Sequence, residues 1–180
     1  MRIETKEEFE RARERLRRRD CDSLAAFLMS LALDSGPVGE QVRTFIVGDN
    51  LAETVESVGE RIRGLTIPSE YEHRHSLGRE MGVSLDFIVD SVERLVLPID
   101  ANAAFELLAA VLEADHVAME NCGEHDWDVA CAYRRAAGAM AEAAKNLPRS
   151  EVEERVKALI DGDGYGVRAE LGSVFPEDHK

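Results

Sequence analysis

Two Glu-x-x-His pairs, Glu70–His73 and Glu113–His116, are the residues of this chain with the sharpest chemical signature. On a helix, that spacing points a carboxylate and an imidazole the same way. Ferritin-like bundles hold two iron or manganese ions with two such pairs and a glutamate from each of two other helices. The register disfavours a shared site. The helices on either side of Pro98 turn back on each other, and the two histidines then miss by about seven residues, roughly 10 Å along the axis. No helix contributing a bare glutamate lies between the pairs. His116 falls on the apolar stripe Phe105, Leu108, Leu112 and Met119, which predicts a core histidine rather than a ligand.

Other clusters are weaker. Cys122, His125 and Cys131 have the composition of a zinc site, but their spacing matches no standard pattern and a fourth ligand is missing. Asp161-x-Asp163-Gly-Tyr165-Gly166 opens like a calcium-binding loop. It then departs, with Arg168 at position eight and Gly172 at position twelve, so a glycine-rich turn is the expectation. Asp86, Asp90 and Glu93 share one helix face, as a Mg2+-binding cluster would and as the wet side of an amphipathic helix does. Arg11 to Arg19 is basic but interleaved with glutamate, which suits a solvated helix or an acidic protein partner better than phosphate. No phosphate loop, nucleophile elbow or HExxH motif occurs. The chain is therefore expected to be non-enzymatic, with no cofactor and no resident metal.

The 180 residues carry a formal charge of −14, which disfavours nucleic acid and anionic membranes as partners. The charge is uneven: residues 1–20 hold 8 Lys+Arg against 6 Asp+Glu. The longest apolar run, Leu24 to Met29, is too short to span a membrane, and three cysteines without a CxxC pair suit reduced thiols in a cytoplasm.

Positioning these residues falls to helices. Fifteen of the 22 alanines lie between Ala101 and Ala144, which predicts two long helices packed closely face to face. Leu51, Val55, Val58, Ile62 and Leu65 repeat at 4-3-4-3 spacing behind the capping sequence Asn50-Leu-Ala-Glu53. Val38, Val42, Phe45 and Ile46 form the stripe of the preceding helix, and Asp22 is the expected cap of the one before that. Leu77, Met81, Leu85, Ile88, Val92 and Leu95 predict one buried face along a long helix from about Ser69 to Leu97, bent near Gly82.

The expected fold is all-α: about nine helices in antiparallel hairpins, as a bundle or a short α-solenoid-like stack. Residues 1–175 are expected to form a single domain, with a peripheral first helix over 5–19, a hinge at 66–69 and a tail at 176–180.

Four stretches carry a family resemblance. They are Leu24-Ala-Ala-Phe-Leu-Met-Ser-Leu-Ala-Leu33 with the charged helix ending Arg61-Ile-Arg63; the helix after Tyr71 leading to Ala103-Ala-Phe-Glu-Leu-Leu108; Glu120-Asn-Cys-Gly-Glu-His-Asp126; and Asp163-Gly-Tyr-Gly166. Together they resemble a bacterial family of helical, repeat-like proteins known only as a domain of unknown function. The resemblance implies a helical fold and no particular chemistry. Its pattern places a tryptophan after the hinge, where this chain has Tyr71.

The leading expectation is a protein-binding or scaffold module taking an unknown protein or peptide in a helical groove, with Tyr71, His75 and Trp127 as contact residues. One alternative is a ferritin-like metalloenzyme using Glu70, His73, Glu113 and His116. The other is an acidic decoy or immunity-type protein that binds a basic partner.

Overall fold

The computed structural model describes residues 6–33, 36–65, 74–122 and 126–175. Every regular element among them is helical. The elements are α1 (Lys6–Arg17), α2 (Cys21–Ala32), α3 (Pro37–Ile46), α4 (Leu51–Leu65), α5 (Arg74–Ser91), α6 (Ala101–Glu113), α7 (Asp115–Asn121), α8 (Asp126–Ala144) and α9 (Arg149–Asp161). A π-helical segment, Val92–Val96, extends α5, and a 3-10 segment, Ala169–Ser173, ends the fold. The predicted hinge at 66–69 and the tail at 176–180 lie outside the described residues.

The chain divides into two compact units, Met1–Val42 and Arg43–Lys180. In the first, Asp20 begins α2: its carboxylate accepts from the Ser23 N–H at 2.8 Å and from the Ser23 hydroxyl. That corrects the expected cap, Asp22, which lies in the helix's first turn. These hydrogen bonds also hold the Asp20 carboxyl below the usual aspartate range. α2 buries none of its residues. On α3, Val42 is buried but Val38 is exposed, so the expected stripe does not form a core face.

The second unit contains the core. Asn50 starts α4 by accepting from the Ala52 N–H at 3.1 Å, and its amide donates to Glu53 at 2.6 Å. Val58, Ile62 and Leu65 are buried as the period predicts. Phe45 and Ile46, at the end of α3, are exposed, and the buried side chain there is Thr44.

α8 lies against both α5 and α6. Alanine explains how closely: Ala132, Ala136, Ala137, Ala139, Ala143 and Ala144 are all buried on α8, facing bulky partners such as Phe105, Leu108 and Leu112 on α6. Gly82 on α5 serves the same purpose. A Cβ there would stand 3.2 Å from the Asp128 Cβ and 3.4 Å from its backbone carbon, so this glycine permits close approach of α5 and α8. α5 is continuous through Gly82.

Two predicted helices are shorter or more irregular than periodicity suggested. The helix ending at Leu97 changes hand-hold at Val92, whose carbonyl accepts from the Leu97 N–H five residues on. The wider turn buries Val96 in place of Leu95, which is half-buried. The first alanine-rich helix breaks at Ala114 into α6 and α7. Beyond the break the buried face runs through Asp115, Ala118 and Cys122.

Candidate functional site

The break at Ala114 decides the fate of Glu113 and His116. His116 is exposed, contrary to the expected core position. Its Nδ1 lies 3.2 Å from the Tyr165 hydroxyl and its Nε2 3.4 Å from Glu120. Glu113 pairs instead with Arg155 of α9 at 2.8 Å. The two members of this Glu-x-x-His pair therefore serve different partners. Glu70, His73 and Tyr71 lie outside the described residues. His75 falls in the first turn of α5. Among the described residues no three His, Cys, Asp or Glu side chains converge as metal ligands would.

Asp115, beside His116, is buried and was not anticipated as a site residue. Arg168, also buried, reaches it from the loop after α9: Nε donates to the Asp115 carboxylate at 2.8 Å. Nη2 donates to the Leu112 carbonyl at 2.7 Å and Nη1 to the Leu159 carbonyl at 2.8 Å. Those carbonyls sit in the last turns of α6 and α9, where helices leave acceptors without an intrahelical partner. One guanidinium thus closes two helix ends and neutralises a buried carboxylate.

The Asp163 carboxylate aims this arginine by accepting from the Val167 and Arg168 N–H groups, each at 3.0 Å. Gly166 supplies the left-handed turn, with φ of 67°. The loop that opens like a calcium site therefore commits its central aspartate to its own backbone.

Tyr133 packs nearby, wholly buried, with its hydroxyl lacking a hydrogen-bond partner. Burial foremost, and then the Asp115 charge, pushes its phenol well above the ordinary tyrosine range. Cys122 is buried with its thiol donating to the Met119 carbonyl, whereas Cys131 is exposed. His125 lies outside the described residues.

Asp86, Asp90 and Glu93 converge on Arg135 of α8, which pairs with all three carboxylates. Desolvation pulls the Arg135 pKa down, but the bond and charge of Glu93, with Asp90 and Asp86, outweigh it and raise it. The acidic face is thus a half-buried ion-pair network joining α5 and α8. With Gly82 beside Asp128 at one end and Arg135 beside this triad further along, the two helices run parallel.

Trp127, the remaining expected contact residue, is 67% exposed in the first turn of α8, with the Arg134 guanidinium 5.4 Å from its ring centre. A cleft of about 380 Å³ lies at the turn between α8 and α9, lined by Lys145, Leu147, Arg149, Val174 and Phe175. Its cations are engaged: Lys145 with Glu142, and Arg149 with Glu153 and the Phe175 ring.

The polar clusters of the second unit are therefore closed upon themselves. The open chemistry is apolar. Phe9, Leu16, Phe27, Met29, Leu33 and Val38 in the first unit are each about half or more exposed, Leu33 at 86%, and in the second unit Phe45, Ile46, Ile99 and Trp127 are exposed singly. Composition conceals this surface, because the same residues would serve equally well in a core.

No family model matches the chain, and neither a curated protein nor a solved structure does. No described helix is long and apolar enough to cross a membrane. A functional reading rests on the chain's own geometry.

Proposed function

We propose that this chain is a non-enzymatic protein-binding module that docks through the helices of its first unit. The observation that carries this reading is α2, whose sequence is mostly apolar and which buries no residue, while Phe27, Met29 and Leu33 face solvent. Large apolar side chains left exposed along one helix of a folded chain mark a candidate interaction site. The proposed partner is a protein or peptide offering a complementary apolar face, as when an amphipathic helix enters a groove.

The ion pairs around Asp115 and Arg135 support a structural role for the polar residues and leave catalysis without a converged set of groups. The separate partners of Glu113 and His116 count against the metalloenzyme alternative in the same way.

The test is a paired substitution, Met29→Lys with Leu33→Lys. Binding of the apolar dye bis-ANS should fall severalfold, while thermal melting of the chain changes little because neither side chain is buried. Unchanged dye binding would contradict the proposal.

A further inference from the structure

We propose that the arginine run Arg17-Arg18-Arg19, between α1 and α2, is a processing site: a serine endoprotease that reads arginine hydrolyses the Arg18–Arg19 bond and removes α1. This goes beyond the docking reading, which rests on α2.

The chain holds two stretches of adjacent basic residues, this one and Arg134-Arg135. Sequence alone offers both to such an enzyme, whose carboxylate-lined pockets pair with arginine side chains. The fold separates them. An endoprotease takes its substrate extended, so a bond in or beside a helix is cut from a locally opened form, at a rate that follows the population of that form. Arg134 and Arg135 lie inside α8, flanked by the buried Ala132, Tyr133, Ala136 and Ala137. Arg135 is also held by Asp86, Asp90 and Glu93. Opening α8 there means unpacking the core.

The arginine run is the opposite case. α1 ends at Arg17, and no residue from Glu8 to Leu33 is buried. The Arg17 and Arg18 side chains are 62% and 75% exposed. Their ion pairs with Glu14, at 4.0 and 3.5 Å, are of the exposed kind that contributes little. The turn is held by the Arg18 N–H donating to the Arg15 carbonyl at 3.3 Å and the Arg19 N–H donating to the Leu16 carbonyl at 3.0 Å. The helices on either side have 12 residues each, a marginal length without packing. Exposed connections of this kind are where nicking concentrates.

The same geometry selects the bond. The following one, Arg19–Asp20, lies against the start of α2. There the Asp20 carboxylate accepts from the Ser23 N–H and hydroxyl, both at 2.8 Å, which holds the backbone and sets an anion beside the bond. One residue earlier, water adds to the Arg18 carbonyl and the C–N bond breaks. Arg18 then ends in a carboxylate and Arg19 begins with an amine. Asp20 stays in place, so α2 keeps its cap and its exposed apolar side chains.

The experiment compares the native full chain with the triple variant Arg17→Gln, Arg18→Gln, Arg19→Gln. With trypsin in trace amount as the probe, intact mass should show residues 19–180 as the first large product. That cut should be roughly a hundredfold faster than any cut after Arg134 or Arg135. The variant should lose the first cut and keep the slow one, which shows that α8 is still packed. In the cells that make the protein, the native chain carrying a C-terminal tag should be recovered partly as a form beginning at Arg19, and the variant only at full length.

A first tryptic cut elsewhere, such as after Arg63 or Arg74, overturns the inference. So does an arginine run cut no faster than Arg134-Arg135, or a native chain that stays whole in its own cells. The docking reading is untouched by any of these results, because bis-ANS binding through Met29 and Leu33 is measured on the uncut chain.

Discussion

The two units solve the problem of a helix's apolar face in opposite ways. In residues 43–180 the faces of α5, α6 and α8 that meet one another are closed: Phe105, Leu108, Tyr133, Met140 and Leu85 have no more than 1% exposure, although Phe45, Ile99 and Trp127 elsewhere in the unit are exposed. In residues 1–42 Val42 is the sole buried apolar side chain among the described residues. The contrast has a sequence origin. α8 presents alanine wherever another helix must come close, so large residues on α5 and α6 can fill the space without strain. α1 offers only a narrow apolar stripe, Phe9, Ala12 and Leu16, and the large residues of α2, such as Phe27 and Met29, point to different sides of the helix. The two helices are held locally, by the Asp20 cap and by pairs such as Arg13–Glu10 and Arg18–Glu14. Exposed pairs of that kind contribute little, and a helix of 12 residues is marginal on its own. Burial against a partner would supply the missing stabilisation.

The largest expected effect lies deepest in the closed unit. Asp115→Ala leaves the Arg168 guanidinium buried without its counter-charge and should destabilise that unit by about 3–5 kcal/mol in urea unfolding. Replacing both, Asp115→Leu with Arg168→Met, should recover part of the loss, because the remaining cost is two uncapped helix carbonyls rather than an unpaired ion. Equal losses in the single and double variants would mean that the pair acts through something other than charge burial.

Core truncation comes next and compares the units directly. Leu85→Ala should cost about 2–5 kcal/mol through lost transfer energy and a cavity. Leu33→Ala, in a dilute sample, should cost less than about 0.5 kcal/mol. Similar costs would erase the distinction. Overpacking is a smaller probe: Ala143→Leu on α8 should cost about 1–3 kcal/mol, since nothing around a fully buried alanine has room for three more carbons.

Much of this fold is legible in residue order. The α4 period, the Asn50 cap and the alanine seam of α8 are local patterns, and local patterns dictate helices and their buried faces. The failures are equally physical. The π-helical turn at Val92 and the break at Ala114 each slip the face by about one residue, and neither is marked by glycine or proline. That slip exchanges His116 for Asp115 and Leu95 for Val96. The partnership of Asp115 and Arg168 spans 53 residues, and no spacing rule links them. The available signal was a lone aspartate at a position continuing the apolar face of Leu108 and Val111, which calls for a buried cation elsewhere. The exposure of α2 was also hidden, since hydrophobic content tells what a residue prefers and not whether a neighbour exists to cover it.

The smallest effect concerns Tyr133. Its phenol is neutral in the fold and titrates above the ordinary range. This contribution to stability is therefore complete below the unfolded tyrosine pKa of about 10, and is lost as pH rises beyond it, when unfolded chains ionise and folded ones do not. Tyr133→Phe should flatten that alkaline loss. At neutral pH it should be neutral or slightly stabilising, because it deletes a hydroxyl that has no partner. Melting temperature measured from pH 7 to 11 checks both. A steeper alkaline decline in the variant would contradict the burial argument.

The central claim, one closed unit and one left open, is tested most directly by hydrogen exchange of the native full chain. In a dilute sample, amides of α1 and α2 should exchange orders of magnitude faster than those of α6 and α8. Protection in α1 and α2 equal to that of α8, in a dilute and demonstrably monomeric sample, would contradict the account.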